Sequence, residues 1–156
     1  ALTTCTTGHN NNAIGYAALR VLTDGLYNTA MGNYAGDAIT TGDQNIAIGY
    51  GALSETTTGD NNTAVGSYAL DANTTGTRNL AVGSLALSAN TTANNNTAVG
   101  YETLTANTTG AQNTALGQSC LASNTTASEN TGVGKGALGE IAGSPFLTSN
   151  IPSFVK

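Results

Sequence analysis

Charge is scarce in this chain. Charged residues make up 8% of its 156 positions, against about 25% in an ordinary globular domain. That is too little for the usual surface of a soluble enzyme. Only four residues are Lys or Arg, and they are scattered. With a net charge of −5, the chain lacks the clustered cations that nucleic-acid binding requires. No apolar run approaches the roughly 18 residues of a membrane span, so no membrane contact is expected. No secretory signal is evident, and any such segment is expected to have been removed already. There is no tryptophan, one histidine and two cysteines. Disorder is disfavoured, because 39% of the residues are hydrophobic and the net charge is modest. What remains is rich in Asn, Thr, Gly and Ala, a composition that calls for a repeat search.

The repeat is regular. An Ala-apolar-Gly step (Gly-Val-Gly in the last case) ends at Gly15, Gly32, Gly49, Gly66, Gly83, Gly100, Gly117 and Gly134, at a constant period of seventeen. Numbered from Asn11, the consensus is N-T-A-V-G-Y-x-A-L-x-x-N-T-T-G-x-x, with periods starting at 11, 28, 45, 62, 79, 96, 113 and 130. Residues 1–10 fit as repeat positions 8 to 17, so the chain begins in mid-repeat. The array covers 1–146, and 147–156 is a tail outside it, a cap or an inter-subunit strand.

A fixed short period without insertions predicts one turn of a stack per repeat. Such a period is too short for a helical hairpin of about 33–34 residues, and Gly and β-branched residues at fixed places oppose helix. The predicted fold is therefore all-β: a parallel β-solenoid, or β-roll, with a 17-residue period, eight full coils and an N-terminal half-coil. Each coil is read as two short strands, at positions 1–5 and 7–11, joined by a tight Gly corner and a wider N-T-T-G corner. Coils stack about 4.8 Å apart, giving a rod of roughly 40 Å.

Two columns are large and apolar, and are expected to fill the interior. Position 4 holds Ile14, Met31, Ile48, Val65, Val82, Val99, Leu116 and Val133; position 9 holds Leu19, Gly36, Leu53, Leu70, Leu87, Leu104, Leu121 and Leu138. Neighbouring strand residues face opposite ways. The position-3 column, including Ala30, Ala47, Ala64, Ala81, Ala98 and Ala115, is then expected to point outward. A flat, uncharged alanine face suits close approach of another chain, and marks the expected subunit interface. Charges avoid positions 1–5 and gather at the corners.

At these residues the sequence resembles a known family. Segments 61–76, NNTAVGSYALDANTTG, and 95–110, NNTAVGYETLTANTTG, are similar to the tandem repeats of bacteriophage tail-fibre proteins. They are more distantly similar to the head repeats of trimeric autotransporter adhesins, whose N-S-x-A-I-G motif recurs at a shorter period. The resemblance covers about 1–146. It implies a left-handed parallel β-roll, usually trimeric, exposed on a virion or another extracellular surface. The coiled-coil stalk, membrane anchor and chaperone domain of those proteins are not found here, so receptor binding is not assigned to particular residues.

Catalytic chemistry finds no foothold. His9 is a lone corner histidine, without a partner set for nucleophilic catalysis. No acid pair recurs in a cleft pattern. Asp43 and Asp60 share position 16 and are expected to stack, but the Gly-Asp nonapeptide of calcium-binding rolls is missing. No cofactor or metal is expected. Cys5 and Cys120 are nearly seven coils apart. At a rise of about 4.8 Å per coil that separation is roughly 30 Å or more, beyond disulfide reach. Thr pairs at positions 13–14 raise ice binding, although adjacent strand residues do not make one flat rank. Asn73, Asn90, Asn107 and Asn124 begin N-x-T sequons, candidates either for glycosylation or for a stacked amide ladder at the corner. Tyr16, Tyr50 and Tyr101 share position 6, interrupted by non-aromatic residues. The expected function is structural: a self-associating fibre or filament element, trimeric or stacked head to tail. The alternative is a module recognising a host-surface glycan or, less favoured, ice.

Overall fold

The computed structural model describes residues 1–139. The expected cap or inter-subunit strand at 147–156 lies outside the described residues, as do residues 140–156 of the head-to-tail contact expected between 1–10 and 139–156. The end of the eighth period lies outside them as well.

The fold is an all-β parallel solenoid. Its eight strands are β1 (Asn12–Ile14), β2 (Thr29–Met31), β3 (Ile46–Ile48), β4 (Thr63–Val65), β5 (Leu80–Val82), β6 (Thr97–Val99), β7 (Thr114–Leu116) and β8 (Thr131–Val133). They form one parallel sheet in chain order. Equivalent residues sit opposite each other, as Ala64 does Ala81 and Val65 does Val82.

Each coil carries one strand, not the two expected. The second strand, at positions 7–11, is a run of turns. Positions 7 and 9 take left-handed backbone, as in Tyr68 (φ 56°) and Leu70 (φ 52°), and so does position 17, as in Arg78 (φ 57°). This conformation costs about 1–2 kcal/mol for an L residue. It persists because, away from the ends of the stack, these amides are still satisfied between coils. Tyr68 N–H donates to Tyr50 O at 2.9 Å, and Leu70 N–H to Ala86 O at 3.0 Å. Residues that alternate about left-handed backbone curve back on themselves, so this wall closes the coil within a single repeat period.

The interior is narrow. Position 9 is buried, with Leu19, Leu53, Leu70, Leu87 and Leu104 at 0% exposure and Leu121 and Leu138 nearly as deep. Position 8 is buried beside it, and so is the position-3 alanine column, with Ala30, Ala47, Ala64, Ala81, Ala98 and Ala115 at no more than 1%. The expectation for the strands is therefore reversed. Alanine points inward, and position 4 points outward: Ile14 is 61% exposed and Val133 59%, with Met31 and Leu116 exposed as well. Ile48, Val65, Val82 and Val99 are partly exposed on the same face.

Irregular repeats show how tight the fit is. In the last period Gly132 replaces the position-3 alanine, and a Cβ there would lie 2.6 Å from Cys120 Sγ. Cys120 is itself the enlarged position-8 residue, so the two changes offset across the core. Gly36 stands where other coils have Leu, and its missing side chain makes room for Ile39 Cδ1 and Leu19 Cδ2, at 2.9 and 3.0 Å from a notional Cβ.

Two buried asparagine columns hold the polar part of the interior. At position 1 the side-chain oxygen of each Asn accepts the next coil's Asn backbone N–H; Asn45 N–H to Asn28 Oδ1 is 2.9 Å and Asn79 N–H to Asn62 Oδ1 is 3.0 Å. The same side chain donates to the position-15 carbonyl of its own coil, as Asn62 Nδ2 does to Gly76 O at 2.8 Å. One residue thus clips its coil shut and bonds it to the next. At position 12 the core changes character along the rod, from Leu22 and Ile39 through Thr56 to Asn73, Asn90, Asn107 and Asn124, all buried. These asparagines form the amide ladder: Asn90 Nδ2 donates to Asn73 Oδ1 at 2.9 Å and Asn124 Nδ2 to Asn107 Oδ1 at 2.8 Å. Their exposure of 0–2% corrects the glycosylation reading, since an engaged interior amide offers no acceptor to a glycosyl donor. No buried side-chain N or O among the described residues lacks a hydrogen-bond partner.

Candidate functional site

Two outward columns distinguish this rod from a plain spacer. The first is the strand face. Position 4 supplies the apolar column from Ile14 to Val133, and position 2 runs beside it as Asn12, Thr29, Ile46, Thr63, Leu80, Thr97, Thr114 and Thr131. No charged residue occurs at positions 1–5 in any of the eight periods. Strand spacing makes this strip roughly 34 Å long. Successive strands along it stay in register.

The second column is aromatic, and the sequence concealed it. Tyr16 and Tyr50 occupy position 6, whereas Tyr34 and Tyr68 occupy position 7 of the coils between. The turn places both positions on one outer edge, so the four rings form a continuous zigzag. Their centroids are 5.4, 5.8 and 5.3 Å apart, with interplanar angles of 77°, 76° and 74°, in the favourable edge-to-face range. Wherever one ring stands, the neighbouring position is small or polar: Ala17, Asn33, Gly51 and Ser67. Gly51 has φ +64°, and a Cβ on it would come within 3.0 Å of the Tyr68 ring. All four tyrosines are exposed, from 39% to 69%. Tyr101 lies further along with no aromatic contact among the described residues, so position 6 alone was the wrong guide.

A cleft of about 260 Å³ opens along this column, lined by Tyr34, Tyr50, Tyr68, Gly51, Ser54, Asp37 and Glu55. The carboxylates arrive from positions 10 and 11, just beyond the turn. Asp37 is paired with Arg20 at 3.2 Å, the single ion pair among the described residues. Asp71 adjoins Glu55, and its carboxyl is held above the ordinary value first by burial and to a lesser degree by the Glu55 charge. The Tyr68 phenol is raised first by the neighbouring Tyr50 side chain, then by desolvation, and in smaller measure by the charge of Asp71. The electrostatic character of the cleft is negative.

The remaining candidates have structural roles. Asp43 and Asp60 do stack, but each carboxylate accepts a backbone amide from the preceding coil: Leu26 N–H to Asp43 Oδ1 at 2.7 Å and Asp43 N–H to Asp60 Oδ1 at 2.8 Å. Among the described residues no three His, Cys, Asp or Glu side chains gather as a metal site. The position-13 threonines spend their hydroxyls on backbone carbonyls one coil on, at 3.0–3.2 Å from Thr23 to Thr108, so they do not form a free hydroxyl rank. His9 sits edge-on to Tyr27 at 6.1 Å. Cys5 is exposed, Cys120 is buried, and both are free thiols.

Comparison of the chain with protein-family profiles, curated proteins and solved structures gave no match. The class defined by the structure is thus that of a parallel β-solenoid of 17-residue tandem repeats.

Proposed function

We propose that this chain is a structural element of an extracellular or virion-surface fibre, which associates with copies of itself through the outward strand face. The observation that carries this reading is the uninterrupted, uncharged apolar column from Ile14 to Val133 on eight in-register strands. Monomeric proteins seldom leave such a strip to water. Because every rung is alike, a second copy presents a matching strip, and side chains from two or three rods interleave without leaving a charge unpaired. The repeat's similarity to tail-fibre and adhesin-head repeats supports the same reading. The interface moves from the alanines to position 4, since the alanines are interior.

Light scattering tests this. The intact chain is expected to scatter as an oligomer, and Val82→Arg with Val99→Arg to reduce it to a monomer that keeps its β circular dichroism. An intact chain that is already monomeric at tens of micromolar overturns the proposal. Ligand recognition is a second reading, favoured by the exposed tyrosine zigzag and its cleft. Exposed rings in a row are a surface for stacking against a glycan or another small group, and they lie on a different edge from the strand face, so both roles are compatible.

A further inference from the structure

We infer that the tyrosine cleft is a site for an organic cation, a quaternary-ammonium headgroup of the choline type. This rests on reading the zigzag as a recognition surface, and it names the chemistry that surface selects. Three features converge. Tyr34, Tyr50 and Tyr68 line one side of the open cleft, with successive rings tilted by 76° and 74°, so that ring faces and ring edges alternate along it. The face of an aromatic ring is the negative end of its quadrupole and attracts a cation within about 6 Å of the centroid. The rest of the lining is Asp37, Glu55, Ser54 and Gly51, which supplies carboxylates and no ammonium or guanidinium group. Arg20 neutralises Asp37 from outside the cleft, while Glu55 has no ion-pair partner among the described residues. Its excess negative charge also opposes ionisation of the neighbouring Asp71.

A neutral sugar would use the carboxylates and hydroxyls of the lining as directed hydrogen-bond partners. A compact ammonium bearing methyl groups makes different demands. Its methyls give it an apolar shell that packs on rings, its charge is spread over that shell, and it forms no directed hydrogen bonds. It loses little hydration on entry. A cleft of about 260 Å³ has room for one headgroup. The glycine at position 51 keeps its floor open, since any side chain there would press on the Tyr68 ring.

The test is a titration followed by the tyrosine ring resonances of the intact protein at fixed ionic strength. The probes are choline chloride, its neutral carbon isostere 3,3-dimethylbutan-1-ol, and methyl glucoside. Choline is expected to shift the ring signals saturably and the isostere at least about tenfold more weakly, which supports the inference. Tyr50→Leu and Glu55→Gln, both at exposed positions, should each weaken choline binding by about three- to thirtyfold. Tyr101→Leu, which is outside the cleft, should leave it unchanged. Co-sedimentation with phosphatidylcholine vesicles separates the sources: binding to vesicles that free choline displaces supports a lipid-borne headgroup, and choline binding without it supports a headgroup carried elsewhere. Equal binding of choline and the isostere, or stronger binding of the glucoside, overturns the cation assignment and leaves recognition of another ligand in place. If none of the three perturbs the rings, both readings fall.

Discussion

Replacing Asn62 with alanine probes the device that joins the coils. Asn62 is fully buried at the middle of the rod. Its side chain donates to Gly76 O at 2.8 Å and to Asn45 Oδ1 at 3.2 Å, and it accepts from Asn79 N–H at 3.0 Å and from Asn79 Nδ2 at 3.2 Å. Gly76 O keeps a second donor in Asn73 Nδ2 at 3.1 Å, and Asn45 Oδ1 keeps the Asn62 backbone amide at 2.9 Å. The group left stranded is the buried Asn79 N–H. An orphaned buried donor costs about 1–3 kcal/mol, and each further bond lost about 1 kcal/mol. The sum is about 4–6 kcal/mol, a large share of an ordinary domain's stability of about 5–15 kcal/mol. Asn61→Ala is the matched control. That side chain is exposed, and its backbone is left-handed at φ 58°, so the loss is about 1 kcal/mol of backbone preference. Urea unfolding followed by circular dichroism should show the midpoint for Asn62→Ala falling by more than about 1 M, and that for Asn61→Ala by a fraction of this. Equal shifts would refute the assignment of position 1 as the clip.

Three further outcomes follow from the same geometry. Ala81→Asp should abolish the fold, because it buries an unpaired charge at a cost of several kcal/mol, whereas Val82→Asp should leave a folded chain that no longer associates; thermal unfolding beside light scattering distinguishes them, and the reverse order would mean the strand faces have been assigned backwards. Gly132→Ala should destabilise the chain by about 1–3 kcal/mol through collision with Cys120 Sγ, and Cys120→Ala should recover most of that loss, which a double-mutant cycle in urea measures. Asp71 has its carboxyl pKa raised by burial and by Glu55, so the fold favours its protonated form. Its contribution is fully present below the unfolded value of 3.8 and is lost as pH rises through the higher native value; Asp71→Asn should therefore raise the melting temperature at neutral pH relative to acid pH, when both are compared with the parent chain.

The tyrosine zigzag shows why part of the site was hard to read from the sequence. Tyr16, Tyr34, Tyr50 and Tyr68 alternate between two repeat positions. Counting along a single position breaks the series, and along a strand positions 6 and 7 would face opposite ways. Left-handed backbone at position 7 is what brings the two onto one edge. The position-1 asparagines carried a visible signal, since one stands in every period, but recurrence alone does not tell a solvated corner from a buried clip. The carboxylates Asp37, Glu55 and Asp71 likewise fall at neighbouring positions of successive coils, a convergence that only the stacking reveals.

The sequence by itself determined the architecture. A constant period of seventeen without insertion forces equivalent residues into register, and short strands with glycine corners leave a parallel stack as the outcome. It also determined that positions 3 and 4 face opposite ways. Which of the two lies inside was decided by tertiary structure. In a wide core the bulkier residue gains more from burial, and on that ground Val82 and its equivalents belong inside. Here the turn wall at positions 7–9 folds back close to the strand, and Leu70, Leu87 and Leu104 already fill the space between. The gap that remains fits alanine, as the offsetting Cys120 and Gly132 demonstrate. The valines are left on the outer face, partly exposed among the described residues.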